Sequence, residues 1–191
     1  TSRGIQKVDI LNLLTDSYKL NNTDEARKFA LQASIMAENQ GYERGAGYAA
    51  QNLGYIEYLY GNFNEALGYC QQASEIADKL SDPELKLRSY EISALSYEEI
   101  EEYERSLLFF QRACTLNQSM KNYVGTGLSL LSIGRIYENL EEDQLSLENN
   151  RKSLDIFLRL KNKAGIAKSS IAIAKNYFKI DSYDSMAYFH S

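Results

Sequence analysis

Side chains that usually carry out acid–base chemistry are scarce in this sequence. Its one histidine, His190, lies next to the last residue, where an imidazole is far more often solvent-facing than catalytic. Five glutamates crowd together without the spacing of a loop that fixes oxygen ligands around a cation, which indicates a solvated acidic turn: Glu98, Glu99, Glu101, Glu102 and Glu104. The sequence therefore predicts no catalytic residue, no metal site and no cofactor, and the segment is predicted not to be an enzyme.

Signatures of phosphate binding and of disulfide formation are also missing. No GxxxxGK[ST] loop occurs, and Gly41, Gly45 and Gly47 fall at a predicted helix junction rather than after a strand, so they are not a dinucleotide fingerprint. Cys70 and Cys114 are predicted to be small buried apolar residues rather than a disulfide. None of these residues indicates a reaction.

The charge and the hydropathy of the chain argue against two further classes of partner. The formal net charge of −5 is mild, and no basic stripe of the kind that follows a phosphate backbone is present. No stretch approaches the roughly 20 apolar residues that span a bilayer. Direct binding to nucleic acid, and contact of this segment with a membrane, are therefore not expected.

The chain is organised around a unit that recurs every forty residues, most clearly in residues 46–80. Two sets of equivalent positions show the recurrence: Ala26, Ala66, Ser106, Ser146 and Met186 in one, and Leu14, Gly54, Ala94, Gly134 and Ala174 in the other. Small side chains hold most of these positions, as expected where two helix backbones approach each other closely. The sequence therefore predicts a repeat protein.

Each unit is predicted to be a hairpin of two helices. In the clearest copy, small and apolar residues recur at helical spacing before and after residues 60–64. Gly61 can relax the backbone after the first helix, and the Asn62 side chain can accept a backbone N–H at the start of the second. Asp82 followed by Pro83 is predicted to start the third unit as a cap and a first helical residue.

The order of Leu53-Gly54, then Gly61-Asn62-Phe63, then Glu65-Ala66-Leu67 resembles the tetratricopeptide repeat family. The resemblance covers residues 6–191, in five units. The usual unit of that family has about 34 residues, so this chain is similar to the long, forty-residue subclass found in amino-terminal regions of bacterial signalling proteins. The resemblance implies an all-α, right-handed superhelical solenoid of antiparallel helix hairpins, with about five repeats and the last one truncated.

A single solenoid is expected over residues 1–191. Its predicted units are residues 6–42, 43–82, 83–122, 123–162 and, incomplete, 163–191. The sequence starts at Thr1 without a methionine and ends at Ser191, a few residues into the predicted second helix of the fifth unit. The chain is therefore interpreted as a fragment of a longer protein.

The resemblance also implies that the first helix of each unit lines a concave groove for a protein or an extended peptide. The candidate partner-binding residues are Tyr18, Tyr48, Gln51, Asn52, Tyr55, Tyr58, Arg88, Glu91, Glu98, Leu131, Arg135, Glu138, Lys168 and Lys175. Tyrosines suit such a surface because they offer a large contact area at a small cost in side-chain entropy. A clamp for a terminal carboxylate is not expected. Leu11 and its equivalents in the later units are never lysine, and Thr15 and its equivalents are never asparagine.

Two alternatives stay open for these residues. Tyr48, Tyr55 and Tyr58 either face the groove or pack between helices. Lys168 and Lys175 either bind a partner or only solubilise a helix face. Helical periodicity does not distinguish these alternatives.

The main functional hypothesis is a protein–protein or protein–peptide interaction scaffold, as the sensory or docking region of a larger signal-transduction protein. One alternative is a peptide-sensing regulator domain, and another is a structural scaffold that self-associates. A cytoplasmic location is favoured, with a periplasmic one if the parent is a membrane sensor kinase. The sequence names neither the partner nor the output domain.

Overall fold

The computed structural model describes the backbone of residues 2–189 and the side chains of residues 2–180, so His190 lies outside the described residues. The described backbone is all α-helical, without strands. Its nine helices are α1 (Ser2–Tyr18), α2 (Thr23–Asn39), α3 (Glu43–Leu59), α4 (Phe63–Leu80), α5 (Pro83–Glu99), α6 (Tyr103–Ser119), α7 (Tyr123–Asn139), α8 (Asp143–Arg159) and α9 (Lys163–Phe189). The all-α fold class predicted from the repeat is confirmed.

The connections between the helices repeat every twenty residues. After each helix from α2 to α8, the chain passes through one residue in the left-handed region: Gly41, Gly61, Ser81, Glu101, Lys121, Glu141 and Lys161. Such a residue ends a helix and redirects the chain, and glycine adopts this conformation without strain. Within each of the two compact units described below, these short turns fold consecutive helices back on one another.

Side-chain caps reinforce several of these turns. The Asp82 carboxylate accepts the backbone N–H of Leu85 at 3.1 Å, and Pro83 follows in the first turn of α5, which confirms the predicted start of that helix. Asn122 and Asn162 cap α7 and α9 in the same way. Polar residues at the turns thus supply acceptors that the helix itself lacks.

The predicted cap at Asn62 is wrong, because its side chain makes no hydrogen bond to the start of α4. The Asn62 amide instead donates to the Glu57 carboxylate at 2.7 Å. Glu57 is only 2% exposed and also forms an ion pair with Arg27 at 2.8 Å. A buried carboxylate needs donors more than a solvent-accessible helix end does, so it takes the amide.

The chain divides into two compact units, the first ending at Glu101 and the second starting at Glu102. In the first unit, small residues let neighbouring helices pack closely. One buried cluster combines Ala26 and Ala30 of α2 with Leu53 and Ile56 of α3. Other alanines bury a second and a third cluster: Ala33, Ala37 and Ala49 with Val8 and Leu11, and Ala50, Ala73 and Ala77 with Leu85. The small side chains expected at repeat positions therefore lie at helix–helix contacts.

The second unit contains α6 to α9, and Phe157 is the largest fully buried side chain among the residues that the structure describes there. Two glycines make room for that ring: a β-carbon at Gly127 would lie 2.7 Å from it, and one at Gly165 would lie 2.3 Å from it. Gly127 of α7 and Gly165 of α9 therefore let both helices pack closely against the Phe157 ring of α8.

Helix α9 continues to Phe189, whereas the forty-residue period predicts a turn near residue 181 and a second helix after it. The prediction of a turn there is wrong for the described backbone. The absence of glycine and proline after Gly165 does not explain the continuous helix, because the turns at Glu101, Lys121 and Glu141 form without either residue.

Candidate functional site

In the first unit, the predicted tyrosine surface is largely engaged by the protein itself. Tyr48 and Tyr58 are half-buried, and their hydroxyls donate to Asp82 at 3.3 Å and to Glu99 at 3.5 Å. The ammonium of Lys19 lies 4.8 Å from the centre of the Tyr55 ring, a cation–π geometry. The ring faces and hydroxyls that could hold a partner thus already have internal contacts.

The two amides predicted beside these tyrosines are buried. Gln51 is 2% exposed and Asn52 is 1% exposed. The Asn52 amide donates to the backbone carbonyl of Asn12 at 3.4 Å, and the Asn12 amide donates to the carbonyl of Gly45 at 3.1 Å. These side chains connect α1 to α3 in the structure.

Charged residues at the same face are partly paired. Arg88 of α5 contacts Asp16 of α1 at 3.6 Å and Glu84 at 3.2 Å. Burial raises the pKa of the Glu91 carboxyl above its usual value, and the neighbouring Arg88 charge opposes that shift. The remaining candidates of this unit are Glu98, half-buried, and Tyr18, whose ring packs edge-on against Phe29 at 5.5 Å.

In the second unit, five predicted residues surround one open cleft between α7 and α9. Its volume is about 420 Å³. The residues that line it are Leu128, Leu131, Ser132, Arg135, Glu138, Asn150, Lys168, Ile171, Ala172 and Lys175. The structure thus places Leu131, Arg135, Glu138, Lys168 and Lys175 around a common space.

This cleft, called the α7–α9 cleft below, combines apolar and positively charged walls. Leu128 is 43% exposed and Ile171 is 60% exposed, which leaves apolar surface open to a ligand. Lys168 and Lys175 are exposed, and neither forms an ion pair with a carboxylate of the residues that the structure describes. The cleft therefore offers two ammonium groups together with apolar contact area.

The floor of the cleft contains Asn150 of α8, a residue that sequence reasoning missed. Asn150 is 2% exposed, and its amide donates to Asn176 Oδ1 at 2.8 Å. The Asn176 amide in turn donates to Ser146 Oγ at 2.8 Å. A signal was present in the repeat, because the positions equivalent to Asn150 hold Ala30, Cys70 and Phe110.

Other kinds of site find no support in the described part of the chain. No group of three or more histidine, cysteine, aspartate or glutamate side chains there could hold a metal ion. Cys70 and Cys114 are free and buried, as predicted, and burial raises the pKa of the Cys70 thiol to about 12. Within the same residues, we find no helix with the length and apolar character needed to cross a membrane.

Known structures share this helical-repeat fold. Aspartyl phosphate phosphatase F from Bacillus subtilis superposes with a TM-score of 0.84 at 15% identity, over 97% of this chain and 49% of that one. A signal transduction ATPase with numerous domains from Pyrococcus horikoshii, which has a tetratricopeptide repeat sensor, gives 0.80 at 20% identity, over 92% of this chain and 28% of that one. A Rap protein complexed with competence and sporulation factor superposes with a TM-score of 0.75 at 14% identity, over 95% of this chain and 51% of that one.

These likenesses define the class of the fold: the chain has a tetratricopeptide-like helical-repeat fold. No family model matches the sequence, and no curated protein does either. The chain spans about half the length of the Bacillus and Rap structures, and 28% of the length of the Pyrococcus one. At these identities the similarity extends to the fold alone.

Proposed function

We propose that the chain is a non-catalytic interaction module that binds an extended, acidic peptide segment of a partner protein in the α7–α9 cleft. The observation that carries this proposal is a pair of ammonium groups, Lys168 and Lys175, that form no ion pair with any described residue and lie beside the exposed side chains of Leu128 and Ile171. Apolar contact supplies most of the affinity of such a complex, and complementary charge selects the partner.

The spacing of the two lysines defines the ligand further. Lys168 and Lys175 lie seven residues apart on α9, which is about 10 Å along a helix at about 1.5 Å per residue. An extended peptide in the polyproline II conformation advances about 3.1 Å per residue and has three residues per turn. Two carboxylates three residues apart in such a peptide therefore face the same side, about 9 Å apart, and match the two ammonium groups. An apolar side chain of the peptide next to them can contact Leu131 or Ile171.

The test is the binding of a defined probe to the full chain by fluorescence anisotropy. The probe is a labelled, end-capped nonapeptide with two glutamates three residues apart and leucines at the intervening and flanking positions. Binding should weaken about tenfold or more in a Lys168→Glu, Lys175→Glu variant, because attraction becomes repulsion, and it should weaken with added salt.

A matched variant and a matched peptide make the result specific. Lys152→Glu with Lys161→Glu changes the net charge by the same amount, but these exposed lysines do not line the cleft, so binding should change little. A probe with lysines in place of the glutamates should bind weakly. No detectable binding of the acidic probe, or equal losses in both double variants, would refute the proposal.

The wider role that this site supports is that of a sensory or docking region in a larger signalling protein. The Pyrococcus protein has a tetratricopeptide repeat sensor, and the Rap protein forms a complex with competence and sporulation factor. These two neighbours motivate the hypothesis of a sensory or docking region. The Rap complex favours the alternative of a peptide-sensing regulator domain. Self-association remains a prediction that a concentration series of the molecular mass would test.

A further inference from the structure

The ends of four helices form one edge of the second unit. They are the end of α6, the start of α7, the end of α8 and the start of α9. A β-carbon at Gly127 of α7 or at Gly165 of α9 would meet the Phe157 ring of α8, and one at Gly125 of α7 would meet the Asn117 side chain of α6. These contacts hold the four helix ends close together.

This edge, made of residues 117–125 and 157–165 and called the cationic edge below, is positively charged. Its exposed basic residues are Lys121, Arg159, Lys161 and Lys163. Neither range contains an aspartate or a glutamate. Arg159 contacts Asp155 at 2.7 Å, whereas the three lysines form no ion pair with a carboxylate of the described residues. The edge therefore presents ammonium groups to an approaching partner.

The opposite edge of the same unit is acidic. It is formed by the start of α6, the end of α7 and the start of α8, and its carboxylates belong to Glu102, Glu104, Glu138, Glu141, Glu142 and Asp143. Arg105 pairs with Glu102 at 2.9 Å and Lys179 with Asp143 at 2.8 Å, so these cations are already engaged. The separation of charge between the two edges directs the cationic edge towards an anionic surface.

Exposed apolar side chains accompany the cations. Tyr123 and Leu158 are each more than half exposed, and Val124 is also exposed. The repeat does not require apolar residues there, because other units have polar residues or proline at the equivalent positions: Glu43, Pro83 and Lys163 for residue 123, and Glu38, Asp78 and Gln118 for residue 158. Apolar surface that the fold does not need indicates a contact with a partner.

The arrangement suits a lipid surface better than a protein surface. Tyr123 lies at the start of α7 and Leu158 near the end of α8, so the apolar side chains belong to separate helix ends. A protein partner needs a surface of complementary shape, whereas the boundary between head groups and acyl chains can receive separate side chains. Tyrosine and lysine suit that boundary, because each combines an apolar part with a polar tip.

We propose that the cationic edge docks on the surface of a membrane that contains anionic phospholipids. Lys121, Lys161 and Lys163 attract the head groups, and Tyr123 and Leu158 enter the boundary below them. The sequence predicts no membrane contact because no stretch spans a bilayer, but a surface contact requires no such stretch. The residues of the edge do not line the α7–α9 cleft, so the inference is independent of peptide binding.

The charge of the edge is tested by co-sedimentation of the full chain with lipid vesicles. Vesicles of equal parts phosphatidylcholine and phosphatidylglycerol should bind the chain, vesicles of phosphatidylcholine alone should not, and added salt should weaken binding. Lys161→Glu with Lys163→Glu should weaken binding about tenfold or more, because attraction becomes repulsion. Lys152→Glu with Lys175→Glu changes the net charge equally but away from the edge, and should weaken binding less than about threefold.

Insertion of the apolar side chains is tested by fluorescence. The chain contains no tryptophan, so Leu158→Trp introduces a single reporter, whose emission should shift to the blue with anionic vesicles as the indole leaves water. Leu145→Trp places the same reporter at an exposed position near the start of α8, on the acidic edge, and should show no shift. Leu158→Gln, which takes the residue found at the equivalent Gln118, should weaken vesicle binding about threefold or more without changing the charge.

Each outcome decides for or against the proposal once thermal unfolding shows that the variants are folded. No binding to anionic vesicles, or equal losses in the two charge variants, would overturn it. Binding without a shift at residue 158 would mean that head groups alone hold the chain, and would overturn the insertion. An equal affinity for a short polyphosphate, which lacks acyl chains, would identify a general polyanion site and overturn the assignment to a lipid surface.

Discussion

Gly134 of α7 lies so close to the Asn150 amide that a β-carbon at residue 134 would be 2.4 Å from Asn150 Oδ1. The glycine therefore makes the space in which the cleft-floor amide sits. We expect Gly134→Ala to destabilise the chain by about 1–3 kcal/mol, because the hydrogen-bonded amide must move or strain the helix pair. Chemical denaturation monitored by circular dichroism measures the change.

A second glycine provides the control for that prediction. Gly68 lies within α4 and has no atom within 4 Å of the position its β-carbon would take. Alanine favours a helix interior over glycine by about 1 kcal/mol, so Gly68→Ala should stabilise the chain. If Gly134→Ala and Gly68→Ala both stabilise the chain, then the close contact of residue 134 with the Asn150 amide does not limit stability.

The Arg27–Glu57 pair is expected to be important for the stability of the first unit. Arg27→Met leaves the buried Glu57 carboxylate with the Asn62 amide as its remaining donor among the described residues. The expected loss is about 1–3 kcal/mol, moderated by the half-exposed position of Arg27. Lys28→Met removes the adjacent cation from an exposed pair with Glu25, and its effect should stay below about 0.5 kcal/mol. Similar losses in both variants would contradict this account.

Glu91 should reduce stability at neutral pH. Burial raises its pKa above the usual 4.5, so the folded state binds the proton more tightly than the unfolded state does. Its contribution therefore becomes less favourable as the pH rises from about 4.5 through the raised pKa. Glu91→Gln should stabilise the chain at pH 7. This advantage over wild type should shrink as the pH falls through the raised pKa of Glu91 towards 4.5. A difference that is independent of pH would exclude titration of Glu91 as the cause.

The left-handed turn residues can be tested in opposite directions. Lys121 adopts a φ of 56°, and Gly61 adopts a φ of 78° at the equivalent point of another turn. Lys121→Gly should stabilise the chain by about 1 kcal/mol and Gly61→Ala should destabilise it by about as much, because a β-carbon disfavours this conformation. Denaturant midpoints of the two variants should therefore shift to opposite sides of the wild-type value.

The repeat and the helical fold could be predicted from the sequence because the physical causes recur at fixed spacing. Ala26 and Ala66 mark positions where helices must approach each other closely, and Gly61 marks a left-handed turn. The helix continuing past residue 181 could not be predicted from the period, because a period extends a pattern without weighing whether local residues end the helix.

The candidate site was harder to predict because periodicity identifies a face and not the contacts on it. The pattern predicts the same kind of surface for Tyr55 and Lys175, yet Lys19 covers the Tyr55 ring, whereas Lys175 borders an open cleft. Asn150 was missed because its position in the other units is buried and apolar. Its importance depends on hydrogen bonds to Asn176 that only the three-dimensional arrangement brings together.

The equal spacing of the turns also limits how such a chain can change in length. One residue inserted in α9 ahead of Lys168 would rotate the rest of that helix by about 100° relative to α7, which would move Lys168 and Lys175 off the wall of the cleft. A whole hairpin inside the first unit, cut at two left-handed residues such as Gly41 and Ser81, can be exchanged without changing the register of the helices that flank it. Hairpins of forty residues are therefore the natural cassettes for building chimeras of this protein.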